Sequence, residues 1–152
     1  MKGFLLLGAA LLAMLLAMHD PPGSQVLARR ALDFPLQGER ASLDLDLPRT
    51  LPAGKGRLGL YLDGVDLGRG AYWEVYANLP VGTEPRPEGP HYLGTLTSFG
   101  PQGGESRVGY DLSKLAGAGW SGKLTLTFVR KGLVGQKTKG TGRITGVRVV
   151  RE

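Results

Sequence analysis

Histidine is the side chain best suited to metal binding or acid–base chemistry near neutral pH, and this chain has two of them. His19 ends an apolar N-terminal run, and His91 lies where a Pro-rich segment meets an apolar one. A histidine metal site needs several converging ligands, and a catalytic histidine needs a nucleophile or acid partner. The chain has no cysteine to add a thiolate. We therefore interpret His91 as a hydrogen-bonding residue at the start of a strand.

Paired carboxylates are the second chemical candidate, since Asp44 and Asp46 lie on one face of an alternating segment. Two such groups could bind a metal or act in catalysis, but neither a histidine nor a third carboxylate is adjacent, which favours a solvated strand face. Ser98 and Ser113 lack a nucleophile-elbow context, and the Gly-rich segment 100–104 does not open a long helix. The sequence thus favours a non-catalytic protein, and we expect no metal or other cofactor.

The whole chain carries a net charge of +6, and basic residues dominate its C-terminal part. One interpretation is an ordinary solvated surface, and the alternative is a contact surface for anionic lipid, polysaccharide or an acidic protein. Nucleic acid is disfavoured by the export signal described next. The candidate residues for an anionic surface are Arg130, Lys131, Lys137, Lys139 and Arg143.

The N-terminus predicts export. Lys2 precedes an apolar run over 3–18, and Asp20, Pro21 and Pro22 stop any helix. A run of this length is typical of a signal peptide and slightly short for a membrane span. We expect residues 1–28 to form a signal peptide or membrane anchor, with cleavage after Ala28, and residues 29–152 to form one domain. The protein is then periplasmic, secreted or held at the membrane by this segment.

The rest of the chain predicts an all-β fold. Apolar residues alternate with polar ones in several short segments, such as Leu43, Leu45 and Leu47 or Leu58, Leu60 and Leu62. Turn residues separate these segments, and the 25 glycines and 10 prolines fit many turns. We expect an antiparallel β-sandwich, jelly-roll or immunoglobulin-like, of about seven or eight strands with one short helical turn. An apolar N-terminal helix precedes it.

The segment 72–100 contains two aromatic runs around a connector rich in proline and glycine. Tyr72, Tyr76 and Tyr92 alternate with apolar residues and are expected to be exposed in part. Exposed rings could stack on sugars or on a partner, whereas cross-strand aromatic pairs are also an ordinary way to stabilise a sheet. Both interpretations stay open at this point.

Four short motifs give the chain a family resemblance. They are YWEVYANLP (72–80), GPHYLGTLTSFG (89–100), YDLSKL (110–115) and GKLTLTFV (122–129). Over residues 43–150 the chain resembles the C-terminal β-sandwich domain of tyrosinases, polyphenol oxidases and related hemocyanin-like dinuclear copper proteins. In that family this domain carries no copper ligand and packs on the helical copper domain. The helical domain with its six histidines is missing from this sequence, so no catalytic residue carries over.

The resemblance implies a free-standing, exported accessory module. Such a module could bind or shield a tyrosinase-like copper oxidase or another envelope protein. The alternative is an envelope module that binds glycan or anionic lipid through its tyrosines and basic residues. The candidate partner contacts are Tyr72, Tyr76, Asn78, His91 and Tyr92.

Overall fold

The computed structural model describes residues 22–67, 71–97, 106–116, 119–132 and 142–152. Eight β-strands and one short 3-10 segment, Ser113–Leu115, make up the regular structure of these residues. The strands are β1 (Gln25–Leu36), β2 (Arg40–Asp46), β3 (Leu58–Leu67), β4 (Ala71–Ala77), β5 (Tyr92–Leu96), β6 (Ser106–Asp111), β7 (Lys123–Gly132) and β8 (Gly142–Arg151). The all-β prediction with one helical turn is confirmed.

The strands form two four-stranded antiparallel sheets that pack face to face. The first sheet has the order β1-β8-β3-β6, and the second has the order β2-β7-β4-β5. β1 contacts β2 along one edge of the sandwich, and β5 contacts β6 along the other. The face of each sheet that points away from the other sheet is called its outer face below.

The core lies between the sheets and follows from the two-residue period of the strands. Leu58, Leu60 and Leu62 on β3 and Leu43 and Leu45 on β2 are all buried and belong to one core cluster. The same buried cluster contains Val147 and Val149 of β8 in the first sheet, and residues of β4 and β7 in the second sheet, namely Trp73, Val75, Leu124, Leu126 and Phe128. One inward-facing apolar row per strand is what the alternation predicts, so the core was readable from the sequence.

The two ends of the sandwich carry different parts of the chain. Gln25 pairs with Arg151 at one end of the first sheet, and Leu36 pairs with Gly142 at the other. Residues 47–57, 78–91 and 112–122 all connect strands at the first of these ends, which we call the Gln25 end. The opposite end is called the Leu36 end. The two ends are roughly 30 Å apart, given about 3.3 Å per residue along a ten-residue strand.

A charged cluster fixes the outer face of the first sheet. β3 shifts register between Leu62 and Val65, and Gly64 adopts a positive φ of 59° in this β-bulge. The Asp63 carboxylate accepts hydrogen bonds from Arg148 Nε at 2.7 Å and from Arg107 Nε at 2.8 Å. Arg148 is almost completely buried, and its burial lowers its pKa. Asp63 therefore compensates a buried cation on the central strand β8.

The first described strand overlaps the predicted processing site. Val26, Leu27 and Ala28 belong to β1, where Val26 pairs with Val150 and Ala28 pairs with Val149 of β8. The apolar run over 3–18 lies outside the described residues, so the signal or anchor segment stays a prediction. Within the described ranges, no helix is long and apolar enough to cross a membrane.

The Asp63–Arg148 pair predicts a specific stability loss. Asp63→Asn keeps the shape but removes the charge, leaving Arg148 buried without its counter-ion, so we expect a loss of about 3 kcal/mol in the free energy of unfolding. Asp33→Asn is the matched control, because Asp33 pairs with Arg143 at 3.0 Å where both side chains are exposed. The control should cost less than about 1 kcal/mol in denaturant unfolding. Equal losses from the two variants would contradict the role given to Asp63.

The β1 pairing predicts that removing residues 25–28 weakens the domain. A chain beginning at Arg29 loses three paired positions on β8 and the partly buried Leu27. We expect its free energy of unfolding to be about 1–3 kcal/mol lower than that of a chain beginning at Pro22, mainly because apolar burial is lost. Equal stability would show that processing after Ala28 leaves the fold intact.

Candidate functional site

The candidate contact residues lie on the outer face of the second sheet, around β4. Tyr72 and Tyr76 point to that face, opposite Lys131 and Thr127 of β7. Trp73 and Val75 alternate with them and face the core. Strand β4 thus has large side chains on both faces, so its outer face also needs to be covered by another part of the chain.

Tyr76 is not an exposed contact, which corrects the expectation from sequence. Its side chain has no exposed surface, and Glu74 beside it is also buried. The Tyr76 hydroxyl donates a hydrogen bond to Glu74 Oε2 at 2.7 Å, and Lys131 Nζ lies 3.7 Å from the same oxygen. The physical reason for the burial is the connector after β4, which folds back over this part of the sheet.

Tyr92 packs beside Tyr76 on the neighbouring strand. Their ring centroids are 5.6 Å apart with the planes at 59°, and the two residues are a register pair of β4 and β5. Burial raises the pKa of both hydroxyls, and the Glu74 carboxylate adds to the rise. The cross-strand pair therefore holds the edge strand β5 on the sheet. Of the three candidate tyrosines, Tyr72 and Tyr92 keep part of their surface exposed.

The connector over 78–91 is shaped by local turns. Thr83 N donates to Pro80 O at 3.1 Å, and Gly82 has a φ of 82°, the conformation that the third position of a type II turn requires. Gly89 N donates to Arg86 O at 2.9 Å in a second turn. The connector is consequently an ordered element although it contains no strand or helix.

His91 closes the connector onto β4, as predicted from its position. Its Nδ1 lies 3.0 Å from Ala77 O, and its carbonyl oxygen accepts a hydrogen bond from Ala77 N at 2.8 Å. A carbonyl oxygen only accepts, so Nδ1 carries the proton. The ring is thereby fixed with Nδ1 toward the backbone of β4.

Asn78 also serves the fold. It has a positive φ of 51°, which asparagine tolerates better than most residues. Its Oδ1 accepts from Thr125 N at 2.9 Å, and its own N donates to Thr125 O at 2.8 Å. The side chain predicted as a partner contact is thus engaged with β7.

A pocket of about 300 Å³ lies between the connector and the end of β4. It is open to solvent, and apolar atoms make up most of its wall. Beside it, at the apex of the Pro80–Thr83 turn, Val81 has its whole side chain exposed. Sequence reasoning missed Val81, although a valine before Gly82 in a tight turn has nothing to pack against. The pocket is lined by Tyr76, Leu79, Thr83, Glu84, Arg86, Gly89, Pro90 and His91.

The basic candidates that the structure describes, Arg130, Lys131 and Arg143, lie at the Leu36 end, away from this pocket. Lys131 pairs with Glu74, and the exposed Arg143 pairs with Asp33. Arg130 is half-buried opposite Trp73. Lys137 and Lys139 lie outside the described residues. The anionic-surface role of these residues remains a prediction.

The carboxylates of β2, Asp44 and Asp46, lie on the solvent-exposed face of the strand, as predicted. Asp44 Oδ2 lies 2.9 Å from Lys123 Nζ, and its Oδ1 accepts from the Thr125 hydroxyl at 2.7 Å. These hydrogen bonds lower the pKa of Asp44. Across the described ranges, no group of three or more His, Asp or Glu side chains is arranged to hold a metal ion.

Two solved structures share this fold. One is the structure of latent apple tyrosinase, with a TM-score of 0.60 and 16% identity over 80% of this chain and 28% of that chain. The other is recombinantly expressed latent aurone synthase, a polyphenol oxidase, with a TM-score of 0.55 and 14% identity over 78% of this chain and 25% of that chain. The chain thus spans about a quarter of the length of each enzyme. The predicted resemblance is confirmed at the level of the fold.

Comparison by sequence gives no further relatives. No protein-family model and no curated protein matches this chain.

The buried Tyr76 hydroxyl predicts a pH-dependent stability. Because the folded pKa is raised above the ordinary value near 10, the unfolded chain ionises first, and stability present below pH 10 is lost as the pH rises further. In Tyr76→Phe we expect a shallower loss above pH 10. At pH 7 the free energy of unfolding of the variant should be about 1 kcal/mol lower than that of the wild type, since Glu74 loses a hydrogen-bond donor. Denaturant unfolding from pH 7 to 11 measures both, and parallel curves would contradict the assignment.

Proposed function

We propose that this protein is a non-catalytic, exported accessory module that binds and shields a partner of the tyrosinase-like copper oxidase class. The observation that carries the proposal is the shared fold, which in both solved structures forms part of a latent oxidase. In this chain the described residues form that β-sandwich. As proposed, the sandwich acts on a separate polypeptide.

The contact surface of the proposal is the connector over 78–91. Val81 projects an apolar side chain fully into water, and the neighbouring pocket offers an apolar wall. Burial of an exposed valine by a partner makes the free energy of binding more favourable. A pocket of this size accepts one side chain of the partner. Tyr72 and Tyr92 flank this surface with partly exposed rings.

The rigidity of the connector supports this role. His91 joins it to β4 through two hydrogen bonds with Ala77, and Tyr76 fills the space beneath it. A surface held in its bound shape avoids part of the entropic cost of binding. The connector thus combines exposed apolar area with a fixed conformation.

Export is part of the proposal and is supported by the N-terminal sequence. Lys2 and the apolar run over 3–18 have the order of a signal peptide or anchor. The chain enters the domain at Gln25, at the same end as the connector. An anchored form would hold the contact surface at the membrane-proximal end.

Val81→Ser should weaken capture of the partner. In a binding assay between the full chain and the catalytic domain of a tyrosinase-like copper oxidase, we expect the Kd to rise about tenfold, because burial of the valine is lost. The stability of the variant should equal that of the wild type, since this side chain makes no packing contact in the free protein.

Val26→Ser is the matched control, because Val26 is the other large exposed apolar side chain of the described residues and lies on β1. Its Kd should equal the wild-type value. Failure of the wild-type chain to bind or inhibit any tyrosinase-like catalytic domain at micromolar concentration would overturn the proposed function.

A further inference from the structure

Two loops at the Gln25 end carry basic residues that the proposed function does not use. The segments 47–57 and 112–122 contain no aspartate or glutamate and four cations, which are Arg49, Lys55, Arg57 and Lys114. The first segment runs from β2 to β3 and the second from β6 to β7, so each joins one sheet to the other. Both loops therefore lie across the end of the sandwich.

The two loops are joined to each other. Leu47 N donates a hydrogen bond to Gly122 O at 3.0 Å, and the indole Nε1 of Trp120 donates to Pro48 O at 2.9 Å. Trp120 keeps part of its surface exposed. Residues 47–57 and 112–122 thus form one surface, which we call the loop surface.

Most of the cations of the loop surface have no ion pair within the domain. Arg49, Lys55 and Lys114 are exposed, and none of them forms an ion pair with another described residue. Arg57 differs from them, because its guanidinium lies 3.7 Å from the Glu152 carboxylate. Three positive charges are therefore available to an external anion.

The neighbouring charges do not cancel this excess. The strand ends beside the loops add two cations, Arg151 and Lys123, and the latter lies 2.9 Å from Asp44 Oδ2. Loops and strand ends together hold six cations against four carboxylates, namely Asp44, Asp46, Asp111 and Glu152. The connector at the same end adds one arginine and two glutamates. The excess of positive charge thus lies on the loop surface and not on the connector.

The chain enters the domain beside the loop surface. Gln25 at the start of β1 pairs with Arg151, and the Arg151 guanidinium donates to Pro52 O in the first loop. Six residues, 19–24, separate β1 from the apolar run over 3–18. Such a segment spans at most about 20 Å when it is fully extended. An anchor formed by the apolar run would therefore keep the loop surface close to the bilayer.

We propose that the loop surface rests on an anionic lipid bilayer, with Arg49, Lys55 and Lys114 at the lipid phosphates and the exposed part of Trp120 among the headgroups. The inference rests on the exported, anchored form of the proposed function. Basic residues close to a membrane are attracted by anionic lipid, and tryptophan is enriched at the membrane–water interface. A bilayer is broad and flat, so the three cations do not need to converge on one group.

The basic residues of the Leu36 end lack this arrangement. Lys131 pairs with Glu74, and Arg143 pairs with Asp33. Their end lies roughly 30 Å from the point where the chain enters the domain. An anchored domain thus directs the loop surface towards the bilayer and the Leu36 end away from it.

Hydrogen exchange of the full chain in lipid nanodiscs tests this orientation. One set of discs contains phosphatidylcholine alone, and the other an equimolar mixture with phosphatidylglycerol. We expect the amides of 47–57 and 112–122 to exchange at least about tenfold more slowly in the anionic discs, because the bilayer covers them. The difference should shrink as the salt concentration rises.

The triple variant Arg49→Gln, Lys55→Gln, Lys114→Gln should lose this lipid dependence. Removing three cations lowers the population of the bound orientation by about a hundredfold, and the variant should fold as the wild type does because all three side chains are exposed. The matched control is Lys137→Gln, Lys139→Gln, Arg143→Gln, which removes the same charge from another part of the chain. The control should keep the slower exchange in anionic discs.

Four results would overturn the proposal. They are failure of the full chain to associate with either kind of disc, equal exchange of both loops in the two lipids, equal loss in the two triple variants, and equal protection by dextran sulfate added to phosphatidylcholine discs. The last result would assign the loop surface to a soluble anionic polymer. Because no copper oxidase takes part, these results are independent of whether the connector binds one.

Discussion

The hydrogen bond between the Tyr76 hydroxyl and the Glu74 carboxylate is the interaction on which the connector surface depends. Both groups are buried on a sheet face that would otherwise meet water, and each satisfies the other. Without it, the connector would cover a carboxylate that has lost its hydrogen-bond donor and keeps the ion pair with Lys131, a cost that favours release of the connector from the sheet. With it, His91 can close the connector onto β4, and Val81 is held exposed at the apex.

On the other sheet, Asp63 compensates the charge of the buried Arg148. Strand β8 is central, and Arg148 on its outer face is buried, so its charge must be neutralised within the sheet. The bulge of β3 brings the Asp63 carboxylate to that position. Each sheet of the sandwich thus contains a buried charged side chain with an oppositely charged neighbour.

Much of the fold was predictable because it follows from local rules. The two-residue period predicted which faces of the strands form the core. The burial of Tyr76 was not predictable, because it depends on where the connector folds after the strand ends. The loop surface depends on the hydrogen bond from Trp120 to Pro48, which come together only when the two loops meet at the end of the sandwich. Such contacts between distant residues leave no periodic signal in a single sequence.

Hydrogen exchange of the full chain, with and without the catalytic domain of a tyrosinase-like copper oxidase, tests the central claim most directly. The connector has few backbone hydrogen bonds of its own, so covering it should slow its exchange. We expect protection confined to the connector over 78–91 and none on the outer face of the first sheet. Unchanged exchange over 78–91 in a complex that demonstrably forms would contradict the account.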